Sequence, residues 1–285
     1  MAHPPAFDPG PAVRPPDPAD HPLSPPAEGR PAREPLPPGW RRVLPGPPWR
    51  IWEALALLAA FFGAQLLFSA LTAAVVRQFL PPGDEEAELT TLMLYSLPAG
   101  LLASYLLGGA AVYWLLARRH RVPVLDSLGL GPFPAGRLAA PLGGGIALQF
   151  VSALLVALGP PPDEYEFLFD VFLRGGAWSI ALFFAVAVGL APLIEETFFR
   201  GLLLPALVRR YGFAPSALLV TLLFTALHAF QTGLYWPALT SIFLCGWILA
   251  WLRQRHGVLW PSVAFHIGFN FTAFLPVLLL GDKLH

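Results

Sequence analysis

Residues 191–208 read APLIEETFFRGLLLPALV. Two adjacent carboxylates, Glu195 and Glu196, stand in an otherwise apolar run, and Arg200 follows one helical turn later. The preceding stretch, ALFFAVAVGL at 181–190, continues the apolar run upstream, so the whole reads as a membrane-embedded helix. At the centre of such a helix each ionised side chain costs roughly 2.5–3.5 kcal/mol on insertion scales unless it is paired. An ionisable residue at that depth marks a functional site by default. What faces this cluster therefore organises the reading of the rest of the chain.

Composition agrees with a membrane protein. The 285 residues are 55% hydrophobic and 13% charged, with a mean hydropathy of +0.59; soluble domains carry about 25% charged residues. Formal net charge is zero, so no global field points to nucleic acid, and none is expected as a partner. The single cysteine, Cys245, lies in an apolar run, which excludes a disulfide framework and a cysteine-based metal site.

Seven apolar stretches, at about 51–76, 91–117, 138–158, 177–208, 213–230, 236–252 and 258–280, predict an all-α polytopic membrane bundle of about seven transmembrane helices. The fourth is long enough to protrude, tilt or kink at Pro192, and the sixth is the shortest. Residues 1–48 hold about half of the 33 prolines and show no periodicity, which predicts a disordered tail. No apolar h-region follows Met1, so a cleavable signal peptide is not expected. The domain organisation expected is thus a Pro-rich tail at 1–48, N-terminal transmembrane helices at 49–176 and a helical core at 177–280.

Arginine placement orients the set. Arg41, Arg42 and Arg50 precede the first span; Arg118, Arg119, Arg121 and Arg137 lie between the second and third. Arg209 and Arg210 end the fourth, and Arg253 and Arg255 the sixth. The opposite loops are acidic or uncharged, with Asp84, Glu85, Glu86 and Glu88 in one and Asp163, Glu164, Glu166 and Asp170 in another. The expectation is a multi-pass protein of the cell membrane, N-terminus cytoplasmic and C-terminus outside.

Polar residues inside the spans form the site shortlist. Besides Glu195, Glu196 and Arg200, these are His228 in FTALH at 224–228, and His266 and Asn270 in HIGFN at 266–270. Glu196 and Arg200 are i, i+4 and can pair, while Glu195 lies about 100° further round the helix. His266 and Asn270 are also i, i+4 and share a face. Measured from the arginine-bearing boundaries, Glu195, His266 and His228 lie ~21, ~16 and ~24 Å deep, so tilted helices could bring them to one level. Each has a plainer reading: a structural ion pair, hydrogen-bonded core histidines and an interhelical asparagine. The joint occurrence on three spans favours a catalytic or ion-handling centre.

Several hydrolase signatures are absent. There is no HExxH helix, no GxSxG elbow, and the one lysine, Lys283, stands too near the C-terminus for a Ser/Lys dyad. What remains is a Glu/His/His/Asn set. A glutamate beside a histidine can deprotonate water or hold a metal that does so, and a His/Asn pair can donate to a developing oxyanion.

The stretches EETFFR at 195–200, FTALH at 224–228 and HIGFN at 266–270 resemble the three motifs of the CPBP family. That family comprises the type II CAAX prenyl endopeptidases and the bacterial Abi and bacteriocin-processing relatives. The resemblance implies an intramembrane endopeptidase acting on a peptide or protein substrate in or at the lipid bilayer. It makes Glu195 the base that activates water, with His228 beside it. Glu196 pairs with Arg200 to shape the substrate site, and His266 and Asn270 stabilise the oxyanion. It leaves open a divalent metal such as zinc on Glu195, His228 and His266, or a metal-free glutamate mechanism; Phe224 reads as packing. Composition suggests a bacterial protein, for which peptide maturation and bacteriocin immunity are the implied roles. Two other classes compete: a non-proteolytic scaffold or immunity protein, and a proton-coupled transporter. The transporter reading predicts a repeat between halves, and the chain shows none.

The topology has a direct check. Alkaline phosphatase fused after Lys283 should be active and fused after Arg119 inactive; an inactive C-terminal fusion would mean a miscounted span.

Overall fold

The computed structural model describes residues 47–80, 85–159, 171, 174–229 and 231–280. All but the last two residues of the expected Pro-rich tail lie outside these. The described residues form eight helices and no strand. They are α1 (Ile51–Arg77), α2 (Glu85–Tyr113, prolonged by a π-helical turn Trp114–Arg119), α3 (Val124–Leu128), α4 (Ala139–Val156), α5 (Gly176–Tyr211), α6 (Phe213–His228), α7 (Trp236–His256) and α8 (Trp260–Leu280).

Each of the seven apolar stretches forms a helix, and the short α3 is added between α2 and α4. Among the described residues α1, α2, α4, α5 and α7 are long and apolar enough to cross a membrane. The stretch expected to be shortest is not: α7 has 21 residues, because it carries Arg253 and Arg255 within its last turn and stops only at Gly257. Gly257 has φ +70°, the left-handed conformation that commonly ends a helix. The short member is instead α6, with 16 residues between Gly212 and Ala229.

The fourth stretch is one helix of 36 residues. At 1.5 Å per residue that is ~54 Å, well beyond the ~30 Å of a hydrocarbon core. It contains two prolines, and neither breaks it. Each follows a π-helical segment, Ala185–Leu190 before Pro192 and Thr197–Leu203 before Pro205. In these segments the bonding widens: Ala191 N–H donates to Val186 and Leu204 N–H to Phe199, five residues back. The wider turn makes room for the proline ring that would strike the carbonyl four residues earlier.

Every residue from 198 to 207 is buried, so this stretch of α5 is enclosed on all sides. Around it α1, α6 and α7 pack, while α8 lies along the first half and pairs with α4. At one end of the bundle the Glu53 carboxylate accepts from Arg119 Nε (2.7 Å) and contacts His120 Nε2 (3.3 Å). At that same end Arg209 Nη1 donates to the Pro47 carbonyl (3.0 Å). Trp49 is buried there, its Nε1 bonded to the Leu202 carbonyl (3.0 Å).

The α4–α8 crossing depends on absent side chains. A Cβ on Gly145 would overlap the Phe265 carbonyl, and one on Gly268 would overlap the Leu142 carbonyl. Backbones can approach this closely only at small residues. Gly145→Leu or Gly268→Leu should therefore lower stability by about 1–3 kcal/mol or more, read as a fall in Tm in detergent. Gly143→Ala, where a Cβ meets nothing within 4 Å, should change little.

Candidate active site

The local geometry of α5 separates its two glutamates. Glu196 is fully buried, whereas the Glu195 side chain keeps 26% of its surface and lines a large cavity. Glu196 Oε1 accepts from Arg200 Nη1 at 2.9 Å, the pairing that the i, i+4 spacing predicts. Arg200 is also fully buried. Its Nη2 donates to the Gly246 carbonyl of α7 (3.0 Å), and its guanidinium lies 4.6 Å from the Phe224 ring centroid. Gly246 suits this contact, because a Cβ there would stand 3.3 Å from Arg200 Nη2.

His266, from α8, joins the two glutamates. Its Nδ1 is 3.2 Å from Glu196 Oε1 and its Nε2 3.8 Å from Glu195 Oε2. The first is a hydrogen bond only if Nδ1 carries the proton, since a carboxylate paired with Arg200 can only accept. That leaves Nε2 facing Glu195 across a gap too long for a hydrogen bond. His228, at the end of α6, has Nδ1 at 2.8 Å from the Phe224 carbonyl. The same logic protonates Nδ1 and leaves Nε2 with its lone pair. Asn270 Nδ2 donates to the Ala187 carbonyl of α5 (2.8 Å).

Phe224 is the hub of the set. It is 2% exposed and touches Phe199, His228, His266 and Arg200 through its ring. Its packing role stands, and the same ring also lines the cavity.

Glu195, His228, His266 and Asn270 all line one cavity of about 830 Å³, so the convergence that the depths allowed is realised. Glu196 and Arg200 lie behind its wall. The cavity is bounded by α1, α2 and α4 to α8, and most of its lining is apolar. Several polar lining residues escape the sequence shortlist, among them Gln65 on α1, Tyr105 on α2 and Gln149 on α4. Gln149 Oε1 and Glu195 Oε2 are buried acceptors without a hydrogen-bond donor among the described residues. The signal was present, since a glutamine within an apolar span carries a smaller version of the cost that marked the glutamates.

Arg253, read as one of the two arginines that end the sixth span, does stand in the last turn of α7, but its side chain turns inward. It is fully buried, with Nε on the Arg200 carbonyl (3.1 Å) and Nη2 on the Leu128 carbonyl (3.4 Å). Among the described residues no three His, Cys, Asp or Glu side chains group closely enough to hold a metal ion. Glu195, His228 and His266 share the cavity but as placed are not such a group.

The ion pair can be tested apart from any activity. Arg200→Ala leaves the Glu196 carboxylate buried and unpaired, which typically costs 3–5 kcal/mol. The Glu196→Gln, Arg200→Met double variant should therefore melt at a higher temperature in detergent than Arg200→Ala alone. Equal melting would show that the pair contributes nothing.

An "Uncharacterized 24.3 kDa protein" of Escherichia coli is 33% identical over 124 residues. That match covers 43% of this chain and 56% of the relative, so the chain spans about half the length of the curated relative it matches. No solved structure matches. The stretch that carries Glu195, His228, His266 and Asn270, residues 177–272, matches the family of type II CAAX prenyl endopeptidases described as Rce1-like.

Proposed function

We propose that this protein is an intramembrane endopeptidase that hydrolyses a peptide bond with water activated by Glu195 and assisted by His228. The observation that carries the reading is the shared cavity: a base, two imidazoles and an amide from three helices open into one largely apolar space. Each of these groups is costly in lipid, and one common cavity removes the cost for all.

The chemistry follows from the side chains. Glu195 Oε2, which has no hydrogen-bond donor among the described residues, takes a proton from water while the water oxygen attacks the scissile carbonyl. His228 Nε2, left as an acceptor, orients that water. As the C–O bond forms, the carbonyl electron pair moves onto oxygen. His266 Nε2, when the ring is protonated, and the second N–H of Asn270 are the donors for the resulting oxyanion. Collapse breaks the C–N bond, and the proton on Glu195 passes to the leaving amine. The Glu196–Arg200 pair touches neither water nor substrate; it holds His266 by Nδ1. The apolar walls suit a substrate segment that enters from the bilayer.

We further propose the orientation read from the arginines, N-terminus cytoplasmic. The N-terminal helices at 49–176 act as a scaffold that supplies the far wall of the cavity.

Glu195→Gln keeps size and shape but loses the basic oxygen. Membranes from cells with wild-type and Glu195→Gln protein should differ in neo-N-termini by proteomics, with the cleavage products missing from the variant and its Tm retained. Asn270→Ala should slow cleavage by on the order of 10²–10³. Identical N-termini in the two membranes would return the non-proteolytic scaffold reading.

A further inference from the structure

Each proline of α5 strands one carbonyl. Leu204 N–H is spent on Phe199 and Pro205 has no N–H, so the Arg200 carbonyl finds no donor at either of the next two helical positions. The same count applies upstream. Ala191 N–H is spent on Val186 and Pro192 has no N–H, so the Ala187 carbonyl is stranded too. A buried carbonyl without a donor is costly, and such groups are almost always satisfied from somewhere.

Both donors come from other helices. Arg253 Nε of α7 reaches the Arg200 carbonyl at 3.1 Å, and Asn270 Nδ2 of α8 reaches the Ala187 carbonyl at 2.8 Å. Arg253 is seated for this. It is fully buried, and the backbone of Gly129, at φ +80°, lies against its guanidinium where a Cβ would clash. Two stranded carbonyls, one on each side of Glu195 and Glu196, thus meet two side-chain donors.

We propose that Arg253 is a positioning residue of the site. Its Nε replaces the backbone donor that Pro205 removes, and so holds the widened turn of α5 in the register at which Arg200 meets both Glu196 and Gly246. Asn270 does the same for the turn before Pro192. The proposal rests on α5 carrying the site, not on the reaction assigned to it. A packing or topogenic role for Arg253 would make no reference to Pro205, and this separates the two accounts.

The test is a double-mutant cycle on the full chain in detergent. Arg253→Met should lower Tm and speed hydrogen exchange in peptides spanning 197–206 more than in α1. Pro205→Ala supplies an N–H within reach of the Arg200 carbonyl. In that background the fall in Tm caused by Arg253→Met should shrink to about half or less. Equal falls in both backgrounds would overturn the proposal. If Arg253→Met alone yields no folded protein, recovery on adding Pro205→Ala supports it and continued absence overturns it. The parallel cycle of Asn270→Leu with Pro192→Ala should behave alike, and additive losses there would remove Asn270 from the role. No readout uses catalysis, so loss of the endopeptidase reading would leave the result standing.

Discussion

The Glu196–Arg200 pair has no solvent exposure at all, and it sets the terms for the helices around it. Removing two charges from water costs several kcal/mol each, and mutual attraction offsets this only when further hydrogen bonds complete the site. Here α7 contributes the Gly246 carbonyl, α6 the face of Phe224, and α8 His266. Three helices are thus bound to α5 by the needs of one arginine and one carboxylate. The accounting stays incomplete: among the described residues Glu196 Oε2 and Arg200 Nε are buried without a hydrogen-bond partner. Imperfectly satisfied polar groups of this kind are characteristic of functional sites rather than of structural cores.

The backbone of α5 meets a related constraint. Two prolines in a buried helix would ordinarily cost about 3 kcal/mol or more each. The π-helical segments before Pro192 and Pro205 absorb the ring, and side chains from α7 and α8 take the carbonyls that result. Helix widening at a functional site is common, and here it has an identifiable cause. One consequence is chemical: Asn270 lines the cavity and also secures the helix that presents Glu195.

The cavity supplies the remaining condition. Charges act more strongly where water is scarce, so a carboxylate and two imidazoles in a largely apolar chamber have more effect than the same groups on a surface. A segment at 177–272 with the family's pattern holds most of these groups, but the far wall does not come from it. Gln65, Tyr105 and Gln149 come from α1, α2 and α4. The N-terminal helices therefore complete the chamber around the motifs.

Much of this was legible in the chain. Apolar runs near 20 residues specify membrane helices, because backbone polar groups must be satisfied within the segment. The i, i+4 spacing specified the Glu196–Arg200 pair, because helical geometry is local. The cost of polar groups in lipid picked out His228, His266 and Asn270 one by one. The partner of each was not legible. These helices are apolar on most faces, so no amphipathic stripe says which side meets which neighbour. That His266 reaches Glu196 with one nitrogen and faces Glu195 with the other follows from how α8 crosses α4 at Gly145 and Gly268. Arg253 shows the limit most clearly. An arginine at a helix end reads as a charge facing water, and only the fold, by bringing the stranded carbonyl of Arg200 beside it, turned it inward. Sequence fixes what is costly, locally and residue by residue; tertiary structure decides which groups meet to remove that cost, because those contacts join residues that no local spacing relates.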